Sequence, residues 1–408
     1  MPTTLQDRKR IILLGLMALL WIYMIYAVSS GENQQWDFKT YYYAAKADGM
    51  GLDPYDTGVL SNVSQSPITL PYVYPPLTLG FFKVLTLFSY DTAVQLWLFL
   101  KVILLGGLLF IWRKHFLTHD SDFLIYLFCT VAYASAIYWD FVSGNICIIE
   151  QFLVWLGLYF LKEKKLLPFT ALIVAVSLFK LTFIVFLLLP FLLTSKNRVK
   201  YLVSGAGVFL AALGVDYLAH QGSFSKYLSI ALSVDERGAF YNPSVLALIK
   251  DFLDFCSTAG YFSKPGAIIS YLIYAVAVAT VLWITYKAVR TGGIELSGKN
   301  SKLLIFLFCL VYALVMPRFK SYSYILLLPA SYFVIKECVK PQAFIYLFIL
   351  LALTKWTPLP FPDVVKFLWW YYPLLTAAMV WLLLILFLRE GAHSAIATSA
   401  SIKAKPVG

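Results

Sequence analysis

Apolar runs and short polar stretches alternate along this chain at a spacing that matches bilayer thickness. A helix needs about 20 apolar residues to cross the hydrocarbon core. The runs predict spans at 11–29, 92–112, 123–139, 145–161, 201–218, 267–288, 303–316, 322–336, 341–354 and 369–388. Two stretches break the pattern. Residues 74–88 are apolar but short, and they open Tyr74-Pro75-Pro76. Prolines suit a first helical turn, so this segment predicts a helix lying at the interface. Residues 166–193 form one long run with Lys180 near its middle, preceded by Lys162, Lys164 and Lys165 and followed by Lys196, Arg198 and Lys200. A single helix would place those basic clusters on opposite sides. A hairpin turning near Lys180 keeps both in the cytosol, as the positive-inside rule prefers.

With the hairpin, the reading is an all-α polytopic membrane protein of about twelve spans with both termini cytosolic. Residues 1–390 are expected to form one integral-membrane domain, with a disordered cytosolic tail over 391–408. The outer loops then fall at 30–90, 219–265, 317–321 and 355–368, with interfacial helices in the first. No repeat or heptad signal is visible, and the halves lack the symmetry that many transporters show.

Composition agrees. Of 408 residues, 61% are apolar and only 13% charged, and the mean hydropathy is +0.77. This excludes a soluble globular protein and a disordered one. The formal net charge is +12, which in a soluble chain would point to nucleic acid. Here the basic residues cluster in short cytosolic connections, so orientation in the membrane explains them and no nucleic-acid partner is expected. Five scattered cysteines and four histidines give neither a disulfide framework nor a metal-ligand pattern. No metal and no cofactor is expected.

The first outer loop is the densest in polar information: residues 35–46 read Gln-Trp-Asp-Phe-Lys-Thr-Tyr-Tyr-Tyr-Ala-Ala-Lys, and Gly51-Leu52-Asp53-Pro54-Tyr55-Asp56 follow. Asp37 falls a few residues past the first span. Partial desolvation there makes a carboxylate a better proton acceptor, but Asp is equally suited to capping a helix over 38–47. Asp53 and Asp56 flank Pro54-Tyr55 and read as turn residues.

These segments resemble glycosyltransferase family 87, which includes the mycobacterial phosphatidylinositol-mannoside mannosyltransferase. The resemblance rests on Asp37-Phe38 with its aromatic and Ala-Ala run, Gly51-x-Asp53-Pro54-Tyr55 and Tyr74-Pro75-Pro76-Leu77. Ser143-Gly144-Asn145 is similar to a Gly-Gln step, with Asn in place of Gln. Phe179-Lys180-Leu181-Thr182 is similar to a Lys-x-x-Pro element, with Phe183 at the Pro position. Tyr241-Asn242-Pro243-Ser244 and Met316-Pro317-Arg318-Phe319-Lys320-Ser321-Tyr322-Ser323-Tyr324 are similar to two later outer motifs; the second has no His.

The resemblance implies a GT-C fold whose outer loops build the active site. It implies an inverting transfer from a polyprenyl-phosphate sugar, with mannose one candidate, to a lipid or glycan acceptor on the outer face of the cytoplasmic membrane. Asp37 matches the family's general base. Arg318 suits bidentate phosphate contact and Lys320 a point-charge contact, with Tyr322 beside them; the alternative for the two cations is anchoring to anionic lipid. Lys180 is either a functional intramembrane charge at the donor phosphate or a snorkelling residue at the hairpin turn. Glu150 is a buried acid that pairs with a cation or faces a cavity. Asn145 and Asn242, with Tyr42, Tyr55 and Tyr74, are candidate substrate contacts. A lipid-linked sugar flippase or polysaccharide transporter is the competing class, and an O-antigen-type ligase or polymerase a third.

Overall fold

A computed structural model describes residues 15, 19, 21–23, 26, 28, 34–117, 122–193, 197–233, 235, 241–258, 260, 266–291, 301–352 and 363–403. Most of the span expected at 11–29, its Arg8-Lys9-Arg10 flank and much of the loop 355–368 lie outside the described residues. Among the described residues the chain is helical, with no strand. Contacts divide it into two compact units.

The first unit comprises Met1–Thr130, Ile137–Phe191 and Ser195–Asp235. Its helices are α1 (Trp36–Gly49), α2 (Thr57–Ser64), α3 (Leu79–Lys83), α4 (Tyr90–Ile111), α5 (Asp122–Ser143), α6 (Cys147–Lys162), α7 (Leu166–Phe179), α8 (Leu189–Leu192), α9 (Arg198–Ala219) and α10 (Gln221–Ser233). Helix α1 packs on α2 and α3, α4 packs on α6, and α7 lies between α6 and α9. An aromatic core gathers Phe38, Tyr41, Tyr72, Tyr74, Phe82 and Trp97 under α1.

The expected break at Lys180 is present. Helix α7 ends at Phe179, Lys180 is extended, and a 3-10 segment (Leu181–Leu188) packs against α7. The Pro-Pro segment is likewise a short helical stretch, Pro76–Leu87. Helix α5 is interrupted inside: Tyr133, Ala134 and Ser135 take left-handed φ of 55°, 58° and 59°.

The second unit comprises Val131–Ala136, Leu192–Thr194 and Glu236–Gly408. It carries α11 (Val245–Thr258), α12 (Ala267–Thr291), α13 (Ser301–Val315), α14 (Leu328–Glu337), α15 (Pro341–Ala352), α16 (Asp363–Trp370) and α17 (Tyr372–Lys403). Helices α12, α13 and α14 pack against α17. The last helix runs past Arg389 to Lys403.

Five helices among the described residues are long and apolar enough to span a bilayer: Tyr90–Phe116, Phe123–Ser143, Arg198–Ala219, Ile268–Thr291 and Tyr372–Arg389. Others at expected spans, such as Leu166–Phe179, Ser301–Val315 and Pro341–Ala352, are shorter. The fold is that of an all-α multi-pass membrane protein.

Candidate functional site

The site grows from the first turn of α1. Gln35 precedes the helix in a left-handed conformation (φ 62°). Its backbone N–H donates to the Val142 carbonyl at 2.8 Å, and its side-chain Nε2 donates to the Phe141 carbonyl at 2.5 Å. The start of α1 is thereby tied to the end of α5. The cap position belongs to Gln35 and the helix begins at Trp36, so the capping alternative for Asp37 does not hold. Asp37 is the second helical residue, where the positive end of the helix dipole favours a carboxylate. It is only 8% exposed.

The turn between α5 and α6 brings Asn145 to it. Asn145 Nδ2 donates to Asp37 Oδ2 at 2.7 Å and to the Tyr41 hydroxyl at 2.9 Å. Asn145 Oδ1 accepts from the Cys147 N–H at 3.0 Å, and this fixes which end of the amide faces the carboxylate. Gly144 makes the approach feasible. Its φ of 70° is left-handed, and a Cβ there would lie 2.6 Å from Gln35 Oε1 and 2.7 Å from Phe38 Cβ. Trp97 Nε1 donates to the Gly144 carbonyl at 2.9 Å and holds the turn from α4.

Two of the predicted tyrosines join this network. The Tyr41 and Tyr74 hydroxyls are 3.1 Å apart, and Tyr55 donates to the Tyr74 carbonyl at 2.7 Å. Burial pushes the Tyr74 phenol well above its ordinary value, and the charges of Glu150 and Asp37 push in the same direction. Tyr55 and Tyr72 are raised by burial as well. The Tyr55, Tyr72 and Tyr74 phenols therefore remain protonated and serve as neutral hydrogen-bonding groups. Tyr42 is placed elsewhere: its hydroxyl donates to the Phe88 carbonyl at 2.8 Å, and its ring packs with Tyr43 and Tyr90.

Behind Asn145 lies an ion pair that the sequence reading does not include. Lys101 Nζ is 2.7 Å from Asp140 Oδ2, with both side chains fully buried. The same ammonium donates to the Asp140 carbonyl at 2.6 Å, a carbonyl that also accepts the Asn145 N–H at 3.2 Å. A lysine on α4 thus braces the α5–α6 turn. Lone intramembrane charges at 101 and 140 are the available signal for it. Lys180 ends α7 with its ammonium 5.4 Å from the centre of the Phe183 ring. Lys180, Glu150 and Asp140 all act electrostatically at Cys147, which places these charges around the start of α6.

Asp53 and Asp56 do the turn work expected of them. Asp56 Oδ1 accepts from the Gly58 and Val59 N–H groups and caps α2. Asp53 accepts from the Tyr55 N–H at 3.0 Å and pairs with Lys226 at 2.5 Å.

The remaining candidates belong to the second unit, where the two later outer motifs are bound together. Asn242 Oδ1 accepts from the Phe319 N–H at 2.8 Å, and the Ser244 hydroxyl donates to the Pro317 carbonyl at 2.7 Å. Tyr324 donates to the Pro243 carbonyl at 2.6 Å. Asn242 is buried and holds the 317–320 backbone. Arg318, Lys320 and Tyr322 sit on that braced loop, partly exposed, with Lys320 Nζ 5.8 Å from the Tyr322 ring centre.

The apolar helices define a multi-pass helical membrane protein, and a buried carboxylate at a helix N-terminus, oriented by an amide on an interhelical turn, gives it a polar site. The family model of glycosyltransferase family 87 matches residues 72–317. This chain belongs to glycosyltransferase family 87 and is a membrane glycosyltransferase. No curated protein and no solved structure matches it. The matched region begins at Tyr72, so Asp37 lies before it, yet its hydrogen-bond partner Asn145 lies inside.

Proposed function

We propose that the protein is an inverting GT-C glycosyltransferase that moves a sugar from a polyprenyl-phosphate donor to a lipid or glycan acceptor on the outer face of the cytoplasmic membrane. The observation that carries this reading is the 2.7 Å contact between Asn145 Nδ2 and Asp37 Oδ2. It holds the carboxylate in a fixed orientation for proton transfer.

In the step proposed, Asp37 takes the proton of the acceptor hydroxyl. The acceptor oxygen forms its bond to the anomeric carbon as the bond from that carbon to the phosphate oxygen breaks. The electron pair leaves with the polyprenyl phosphate, and inversion follows from attack on the opposite face. Cations aimed at the developing phosphate charge stabilise such a departure. Arg318 and Lys320 are assigned to it on chemical grounds, with Lys180 and Tyr322 as further donor contacts. Asn145 orients the base, and Asn242 positions the Arg318–Lys320 loop. Tyr55 and Tyr74 shape the acceptor side.

The test is incubation of the purified protein with a panel of polyprenyl-phosphate sugars and a membrane lipid extract, reading lipid products by mass spectrometry. A new glycolipid whose mass grows by one sugar, with free polyprenyl phosphate released, is the expected outcome. Movement of the intact lipid-linked sugar across vesicles without a new glycosidic bond would favour a flippase instead.

A further inference from the structure

Helix α1 has a second working face. Asp37 and Tyr41 point into the aromatic core, whereas Trp36, Lys39 and Tyr43 line a separate cavity of about 670 Å³. That volume lies in the range of small-molecule sites. The strap 66–70 closes one side, tied to α1 by the Thr40 hydroxyl donating to the Leu70 carbonyl at 3.3 Å. The first turns of α4 close another with Asp91 and Gln95. The Asp37 carboxylate does not line this space.

Its chemistry is specific. Gln34, Gln35 and Gln95 border the cavity with amide side chains, beside the rings of Trp36, Tyr43 and Tyr90. Lys39 is matched by Asp91, so the site carries no excess charge to draw a phosphate. The polar lining also disfavours a polyprenyl chain. Aromatic rings, amides and one charge of each sign, in a space of this size, match a neutral polyhydroxylated ring.

We propose that this cavity is a binding subsite for neutral sugar residues of a glycan acceptor, away from the hydroxyl that reacts at Asp37. The proposal rests on the transfer reading for why a glycan should be present. Gln35 links the two faces of α1, since it borders the cavity and its amide and N–H hold the residues just before Gly144-Asn145.

Binding can be read without transfer. The full chain in lipid nanodiscs, free of glycoside detergent, is titrated with neutral manno-, gluco- and galacto-oligosaccharides, and saturation-transfer NMR reports contact. At least one series is expected to bind the wild type, and Trp36→Leu and Gln95→Leu are each expected to weaken that binding about tenfold. Gln95→Leu tests the site if Trp36→Leu fails to fold. Absence of binding by every series, equal binding in folded variants, or displacement of the sugar by inorganic phosphate would overturn the proposal. Failure of the transfer assay alone would leave this result standing, so the two readings fail separately.

Discussion

Asn145 Nδ2 stands 2.7 Å from Asp37 Oδ2, although 108 residues separate the two in the chain. The contact joins the first turn of α1 to the start of α6. A buried acceptor is strongest as a base when its direction is fixed before the substrate arrives.

Replacing Asn145 by Leu keeps the side-chain size and removes both hydrogen bonds to Asp37 and Tyr41. Transfer is expected to fall about 100-fold through kcat, as misplacement of a reacting group commonly does. Donor KM should change little. Steady-state kinetics on the product assay checks this, and a change confined to KM would count against an orienting role.

Gly144→Ala forces a Cβ into the left-handed turn, 2.6 Å from Gln35 Oε1 and 2.7 Å from Phe38 Cβ. The cost should be about 1–3 kcal/mol, with about 1–2 kcal/mol more for the backbone conformation. Thermal unfolding in detergent should show a lower midpoint, and activity should fall further than stability because the displaced helix carries Asp37.

Lys101→Met strands the Asp140 carboxylate in a fully buried position. Breaking such a pair costs about 3–5 kcal/mol, whereas replacing both partners by apolar groups can be close to neutral. The double variant Lys101→Met with Asp140→Leu should therefore recover most of the lost stability in the same unfolding measurement. Destabilisation that simply adds across the two changes would contradict the pairing.

Asn242→Leu leaves the Phe319 N–H without its acceptor, worth about 1–3 kcal/mol when buried. If the loop serves the donor phosphate, donor KM should rise while kcat changes little. An unchanged KM would separate the loop from donor binding.

The apolar runs made most helices legible. The expected span at 92–112 is realised as Tyr90–Ile111 and that at 201–218 as Arg198–Ala219, while the run at 303–316 is the shorter helix Ser301–Val315. The break at Lys180 was readable because basic residues flank both ends of its run. Asp37 and Asn145 were readable separately; their contact was not, because no local pattern reports pairing across 108 residues. Tyr41 sits one turn from Asp37 and shares its face, but three consecutive tyrosines hid which one turns inward. Tyr42 shows the reverse case, as one residue of register turns its hydroxyl away from Asp37 to the Phe88 carbonyl. Lys101 lies inside one apolar run and Asp140 just past the end of another, and each alone looks like a tolerated charge. Helices such as Gln221–Ser233 lack a long apolar signature and stayed hidden inside an expected loop.

The most direct test of the central claim is transfer by Asp37→Asn in the product assay. The asparagine oxygen can still accept from Asn145, so fold and donor binding should persist while the proton acceptor is gone. General-base catalysis typically contributes about 10²–10⁴-fold, and a loss of that order in kcat, with the protein folded and donor still bound, is the predicted result. Wild-type turnover in Asp37→Asn would contradict the assignment of the base.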